Sequence, residues 1–326
     1  MKRREVGEMV KAEYDERMRM AVSNESNINP DDLVIVSLDD LGKIREELIK
    51  NERTKFKRKF LSNRNAVIGS VLVLLVLILA VFAPLIAPEG PYVMDVSNRL
   101  AHPSMAHILG TDTFGRDLLA RIIYGAQMSM IIGASVAFFS CVLGMAIGLY
   151  ASYYPKLDAV LMRICDGISS VPAILLAIAF MAVLGPSPQN VILSLTLVYI
   201  PTIARIVRSR ALAVKEMTYI EAMRCIGATS NRIIWHHIAP NILSPVIVQT
   251  SFIFAKAIIV EAALSFLGVG VPVPTPSWGN ILMEGKTVIY KAWWMIVFPG
   301  IITAVSVLGL NMLGDGLRDV IDPHTK

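Results

Sequence analysis

The chain has 326 residues, of which 54% are hydrophobic and only 17% are charged, and its mean hydropathy is +0.57. This balance excludes an ordinary soluble domain and indicates a protein whose solvent is largely a lipid bilayer. The formal net charge of +5 does not indicate a nucleic-acid partner, because the basic residues lie beside apolar runs, where orientation and anionic lipids account for them.

The first 55 residues are rich in charged side chains and hold no apolar run that could cross a membrane. We predict a cytoplasmic N-terminal extension (residues 1–55) ahead of a transmembrane domain (residues 56–326). The extension either carries no chemistry or is a regulatory or partner-binding element. No cleavable signal precedes the first apolar run near Ala66, so the first span is expected to remain uncleaved.

Six later stretches are apolar enough to cross a bilayer, which takes about 20 residues because each backbone polar group must be satisfied within the segment. They run from Ala66 to Ala87, Met128 to Ala151, Ile164 to Leu184, Asn190 to Val207, Ile242 to Leu267 and Met295 to Leu313. Prolines 172, 201 and 299 are expected to bend the third, fourth and sixth spans. The sequence therefore predicts an all-α membrane protein of about six transmembrane helices.

Basic residues beside the spans favour the cytoplasmic side of a membrane. With the N-terminus inside, most of these residues flank the internal ends of the spans. The external loops then hold a smaller set: Arg99, Arg116, Arg121, Lys286 and Lys291. Both termini are therefore expected in the cytoplasm.

Each of the two longer external loops carries its own pattern. In the first, residues 88–127, apolar residues recur at helical spacing after Asp117, so we predict a helix along the membrane surface. In the second, residues 268–293, the proline density excludes regular helix. Three tryptophans in and beside the second loop are typical of an aromatic belt: Trp278, Trp293 and Trp294.

A cytoplasmic stretch of residues 208–240 separates the fourth and fifth spans and is much longer than a turn between helices requires. It contains two helical runs that meet at Gly227, with Pro240 just before the next span. Glycine allows two short helices to meet at an angle, and the proline is expected to end the second.

This stretch is similar to the EAA loop of permease subunits in binding-protein-dependent ABC importers, whose pattern is Glu-Ala-Ala, three residues, Gly, nine residues, Ile-x-Leu-Pro. Four residues match: Glu221, Ala222, Gly227 and Pro240. Three depart: Met223, His237 and Ala239. In that family the loop forms a coupling helix in a groove of a separate ATPase subunit. The resemblance implies these coupling residues: Glu221, Ala222, Met223, Arg224, Gly227, Ala228 and Pro240.

Three further stretches resemble one subfamily, the C-type permeases of dipeptide, oligopeptide and nickel importers. They begin with His107-Ile-Leu-Gly-Thr-Asp-Thr-Phe-Gly-Arg-Asp, with Glu261-Ala-Ala-Leu-Ser-Phe-Leu-Gly-Val-Gly and with Gly314-Asp-Gly-Leu-Arg-Asp-Val-Ile-Asp-Pro. The resemblance covers most of Ala66 to Pro323. It implies the type I ABC importer permease fold and a place in the inner membrane.

The same resemblance implies the partners of the chain. They are a second homologous permease, two ATPase subunits, an extracytoplasmic substrate-binding protein and membrane lipid. ATP and Mg are expected at the ATPase subunits, with no cofactor bound directly to this chain. The expected cargo is a peptide, and other members of the family carry oligosaccharide or nickel.

Few residues have the spacing of a catalytic or binding site. Gly279 to Thr287 approaches a phosphate-binding loop but has five rather than four residues between its glycines, so we expect a non-catalytic transport subunit. No metal-ligand spacing stands out. Lys256 and Glu261 fall inside the fifth span, where ionisable groups are expensive, and are candidates for the translocation path. The alternative function is an ion-gradient-driven secondary transporter, although the sequence has no internal repeat.

Overall fold

The computed structural model describes residues 54–321 and not residues 1–53 or 322–326. The predicted N-terminal extension therefore lies almost entirely outside the described residues, as does the end of the motif that begins at Gly314. The described part is almost wholly helical, with one isolated β-bridge between Thr111 and Asp117. The prediction of an all-α protein is confirmed.

Residues 54–62 are helical and lead into the first span. The helices that follow are α1 (Arg64–Val81), α2 (Ala83–Ile86), α3 (Leu118–Tyr153), α4 (Pro155–Ser169), α5 (Ala173–Leu184), α6 (Pro188–Lys215), α7 (Thr218–Cys225), α8 (Ser230–Phe266), α9 (Trp278–Lys286) and α10 (Trp294–Ile321). Helix α8 contains a π-helical turn, Ile233–Ile238, near its start.

Five of the described helices are long and apolar enough to cross a membrane by themselves. They are α1, α3, α6, α8 and α10, and they confirm five of the six predicted spans. The predicted third span is not one helix, because α4 and α5 meet at 91°. Pro172 lies at the break, where it has no N–H to donate and disfavours helical backbone in the residue before it.

Contacts between α3 and α6 fix the direction in which the chain crosses. Gly144 of α3 faces Ile203 of α6, and one turn later Gly148 faces Val207. The residue numbers rise together, so the two helices are parallel and begin at the same face of the bundle. The chain must return between them, and the bent pair of α4 and α5 makes that crossing.

Helices α1 and α10 are packed antiparallel. Gly69 of α1 lies against Gly309 of α10, whereas Ala66, earlier in α1, lies against Gly316, later in α10. With six crossings, both ends of the described chain reach one face. We call it the inner face, which holds the start of α1, the end of α3 and residues 216–229. The opposite outer face holds residues 87–117 and 267–293.

The loop between α2 and α3 is organised by short-range contacts at the outer face. Asp95 caps a 3-10 turn, Val96–Asn98, and hydrogen bonds from Ser97 and Asn98 lower the pKa of its carboxyl. Gly115 comes so close to Asp95 that a Cβ would lie 1.7 Å from the Asp95 carbonyl oxygen. Only glycine allows this approach.

Two predictions about helices at the outer face are wrong. The pattern after Asp117 does not form a separate surface helix, because Asp117 caps α3 by accepting a hydrogen bond from the Ala120 N–H at 2.9 Å. The second loop does contain regular helix, α9, which starts directly after the prolines with a capping box of Ser277 and Asn280.

The predicted aromatic belt is also largely wrong. Trp278 and Trp294 are fully buried, and their indole N–H groups donate to the carbonyls of Ile122 and Thr111 at 3.1 and 3.0 Å. Trp293 alone of the three is exposed. Two of the tryptophans therefore fix the second loop on the bundle and do not mark a membrane interface.

Candidate functional site

Helix α7 lies at the inner face and exposes most of its side chains. Ile220 is fully buried and Met223 partly so, and both pack against the interior of the bundle. The predicted coupling residues Glu221, Ala222 and Arg224 are exposed. Glu221 in the first turn and Arg224 in the last have the charges that the helix dipole favours at those ends. The helix is thus anchored on one side and open on the other.

A Schellman turn ends α7 at Gly227. The Ala228 N–H donates to the Met223 carbonyl and the Gly227 N–H to the Arg224 carbonyl, both at 3.0 Å, which is the hydrogen-bond pair of that motif. Gly227 has a φ of +79°, which residues with a Cβ disfavour. The break between helices that the sequence predicted at this glycine is present, and its cause is backbone conformation.

Pro240 does not end a helix, contrary to the prediction. Helix α8 continues from Ser230 to Phe266, and the π-helical turn Ile233–Ile238 directly precedes the proline. A wider turn can accommodate a residue that has no N–H and whose ring crowds the preceding turn. Pro240 is exposed, on the same face of the molecule as α7.

Side chains that the sequence analysis missed tie α7 to the start of α8. The Tyr219 hydroxyl donates to the His237 carbonyl at 3.3 Å. The Asn241 side-chain amide donates to that carbonyl at 2.6 Å and to the Tyr219 hydroxyl at 3.0 Å. No signal marked these residues, because exposed tyrosines and asparagines are common and the pair is separated by 22 residues.

The two candidates for the translocation path have different surroundings on α8. Lys256 is exposed. Glu261 is fully buried and accepts hydrogen bonds from the hydroxyls of Ser129 and Ser265, each at 2.9 Å. Ser129 belongs to α3, so this carboxylate joins two spans inside the chain.

The described residues of the inner face form an open groove and no cluster of metal ligands. Within residues 54–321, no three His, Cys, Asp or Glu side chains are grouped so that they could hold a metal ion. An open groove beside α7 is lined by Asn231, Arg232, Trp235 and His236 of α8. An aromatic ring with basic neighbours suits contact with a protein surface better than enclosure of a small ligand.

Comparison with known proteins identifies the family. Residues 140–326 match the family described as binding-protein-dependent transport system inner membrane component. Residues 54–103 match the N-terminal TM domain of oligopeptide transport permease C. Together these matches begin and end close to the limits of the described chain.

Relatives are similar over most of their own length. A Brucella abortus protein that is named for a peptide transport system is 48% identical over 269 residues, which are 82% of this chain and 91% of that one. The dipeptide transport system permease protein of Alkalihalophilus pseudofirmus is 42% identical over 265 residues, 81% and 87% of the two chains. The di/tripeptide transport system permease protein of Pseudomonas aeruginosa is 38% identical over 279 residues, 83% and 92%.

A solved structure shares the fold. An inward-facing MetNI methionine ABC transporter chain superimposes with a TM-score of 0.50 and 20% identity, over 62% of this chain and 96% of that one. The predicted type I permease fold and the resemblance to peptide-importer permeases are confirmed. The chain therefore belongs to the inner membrane components of binding-protein-dependent transport systems, as a multi-pass permease subunit.

Proposed function

We propose that this chain is one of two pore-forming permease subunits of an ATP-driven peptide importer, and that α7 is its coupling helix. The observation that carries the proposal is the geometry of α7, a short exposed helix held on the bundle by Ile220 and ended by the turn at Gly227. Relatives named for dipeptide and di/tripeptide transport support a peptide cargo.

The proposed ATPase contact is the exposed side of α7 together with its terminal turn. Small residues there allow a partner to approach closely, and the two charged residues offer ion pairs at the rim. Exposed apolar side chains add to the surface, since Ile226 is 76% exposed and Met217 48% exposed. The proposed contact residues are Glu221, Ala222, Met223, Arg224, Gly227, Ala228 and Pro240.

The proposed assembly pairs this chain with a second homologous permease above two ATPase subunits, with an extracytoplasmic binding protein delivering the cargo. ATP and Mg bind at the ATPase subunits, and this chain supplies the path without catalysing hydrolysis. The chemistry of the inner face supports this division, because α7 offers a contact surface and its groove is open.

We further propose that the inner face is cytoplasmic, with both termini inside and residues 1–55 forming a cytoplasmic extension of the transmembrane domain, residues 56–326. The lysines and arginines near the spans support this orientation, because they concentrate at the inner face. The six crossings bring both ends of the described chain to that same face.

Two ionisable residues of α8 enter the proposal in different ways. Lys256 is exposed, and we assign it to the translocation path or to the contact with the second permease. We also assign Glu261 to the translocation path. The hydrogen bonds that it accepts from Ser129 and Ser265 hold the walls of that path in position. Ionisable groups inside a membrane span are costly, so each of them is a candidate for a function.

The test is co-purification of the cognate ATPase subunits with this chain after co-expression, followed by peptide uptake in reconstituted vesicles. We expect the wild-type chain to retain the ATPases and Gly227→Val to lose them or to lose ATP-dependent uptake. Gly167→Val is the matched control, because its Cβ would also meet no atom within 4 Å but its backbone has no positive φ. Failure of the wild-type chain to retain any cognate ATPase would reject the importer in favour of gradient-driven transport.

A further inference from the structure

Helix α3 is the longest proline-free helix in the described part of the chain, and it connects the two faces. It has 36 residues, which at 1.5 Å per residue span about 54 Å, and it contains no proline. Helices α6, α8 and α10 each contain an internal proline, and α4 and α5 are bent. Because helices bend at prolines and breaks, a displacement at one end of α3 reaches its other end with little loss.

Three buried charged residues and one partly buried glutamate hold the outer end of α3. Arg121 lies in its first turns, and its two terminal nitrogens contact Glu284 of α9 at 2.5 and 3.0 Å. Arg121 also contacts Asp112 at 2.8 Å, and Arg116 contacts Asp112 at 2.5 Å and Glu284 at 2.9 Å. We call these four residues the outer ion cluster. Asp112 and Arg121 are fully buried, so removing one partner leaves an uncompensated charge in the interior.

The outer ion cluster connects α3 to both parts of the outer face. Asp112 and Arg116 belong to the loop between α2 and α3, and Glu284 belongs to α9. At its other end, α9 is also attached to α3, because the Trp278 indole donates to the Ile122 carbonyl at 3.1 Å. A force on either loop of the outer face therefore acts on α3.

The inner end of α3 contacts the coupling segment. The Tyr153 ring lies 5.5 Å from the Arg224 guanidinium carbon and 5.4 Å from the Lys215 ammonium, both in cation–π geometry. Lys215 donates to the carbonyls of Ser152 and Tyr153, which end α3, at 2.9 and 3.2 Å. Arg224 is in α7, the proposed coupling helix, so α3 joins the outer ion cluster to the proposed ATPase contact.

We propose that α3 is the rigid helix that transmits the docking of the extracytoplasmic binding protein from the outer face to the coupling helix α7. Arg121 and Tyr153 are the positioning residues at the two ends of α3. This inference rests on the proposed function, because it takes α7 to be the ATPase contact. Docking displaces the loops of the outer face, the outer ion cluster transfers that displacement to α3, and Tyr153 shifts Arg224.

The experiment uses the complete importer in lipid vesicles, with ATP hydrolysis measured with and without the peptide-loaded binding protein. Glu284→Gln removes one charge of the outer ion cluster, and Tyr153→Leu removes the ring at the inner end. We expect each variant to lower stimulation by the binding protein at least about 5-fold, the lower end of ordinary coupling between sites. The basal rate, which a general loss of folding would reduce, is expected to stay at the wild-type value.

The double variant separates one route from two independent effects. Because both substitutions interrupt the same helix, stimulation in the double variant should equal that of the single variant with the lower stimulation. If the two substitutions acted independently, their fold-losses of stimulation would multiply. Glu89→Gln is the control, since it neutralises an exposed carboxylate of the same outer loop and should leave stimulation unchanged. Multiplied effects, or wild-type stimulation in either single variant, would overturn the proposal.

If Glu284→Gln does not assemble into the importer, Arg116→Lys takes its place. This substitution keeps the positive charge and removes the planar guanidinium that contacts two carboxylates. The same loss of stimulation is expected from it. Failure of the wild-type chain to retain ATPase subunits would count against the proposed function. Normal assembly and uptake with unaltered stimulation in the variants would count against the α3 route alone.

Discussion

Gly227 owes its role to the backbone, because its φ of +79° lies in the region that only glycine adopts freely. A Cβ built at this position meets no atom of the chain within 4 Å. The obstacle to substitution is therefore the left-handed conformation itself, which costs other residues roughly 1–2 kcal/mol. Crowding at this position can come only from a partner that docks against the turn.

This distinction leads to a prediction with two substitutions at one site. Asparagine adopts left-handed backbone more readily than other residues with a side chain, and a β-branched residue adopts it least. We expect Gly227→Asn to keep most of the peptide uptake per ATP hydrolysed in reconstituted vesicles, and Gly227→Val to lose about 10-fold, as a strain of roughly 1.4 kcal/mol would produce. Equal losses in the two variants would show that contact with the ATPase, and not the turn, restricts this position.

At the scale of helices, the spans were predictable because hydropathy is a local property. Helices α1, α6 and α10 occupy the predicted places, since each apolar run is long enough to satisfy its own backbone. The start of α3 was not predictable in this way. Its first turns carry Arg121, whose partner Glu284 is 163 residues away, so only tertiary structure shows that this charge is buried and paired.

The candidate site was predictable to a similar extent. The position of Gly227 follows from turn chemistry and appeared in the sequence. The continuation of α8 through Pro240 could not be predicted from the sequence, because a π-helical turn depends on the packing of the fully buried Ile233, Ile234 and Ile238. The bonds of Tyr219 join two helices, and no local pattern encodes such a contact.

The tie between α7 and α8 gives a prediction at this scale. Tyr219→Phe keeps the ring and removes the hydroxyl that bonds the His237 carbonyl and the Asn241 amide. Hydrogen bonds of this kind contribute about 0.5–1.5 kcal/mol, so we expect uptake per ATP to fall roughly 2- to 10-fold while the ATPase subunits stay bound. Tyr290→Phe, at a fully exposed tyrosine of the outer face, is the matched control. Unchanged uptake would mean that the packing of Ile220 and Met223 holds α7 on the bundle without this hydroxyl.

At the scale of the whole molecule, the parallel packing of α3 and α6 determines the number of crossings. Because both helices start at the outer face, the bent pair of α4 and α5 has to count as a crossing despite its break. An odd number of crossings would separate the ends of the described chain, and the packing of α1 against α10 excludes that. The contacts fix which segments share a face, and the basic residues then assign the inner face to the cytoplasm.

A natural cysteine makes this orientation testable. Cys225 ends α7 and is exposed, whereas Cys165 is buried and Cys141 is half-buried within a span. In a chain with Cys141→Ala and Cys165→Ala, we expect a membrane-impermeant maleimide to modify Cys225 in inside-out vesicles and not in intact spheroplasts. Bound ATPase subunits should slow that modification, because Cys225 lies beside the proposed contact residues Arg224 and Gly227.

The reciprocal probe is a cysteine at the opposite face. Tyr290→Cys in a chain with all three natural cysteines replaced by alanine places the thiol at a fully exposed position between α9 and α10. It should react in spheroplasts and be protected in sealed inside-out vesicles. Modification of Cys225 from the outside would mean that the inner face is extracytoplasmic, which reverses the proposed orientation. An ATPase could not then reach α7, so one labelling pattern tests both the orientation and the coupling role that depends on it.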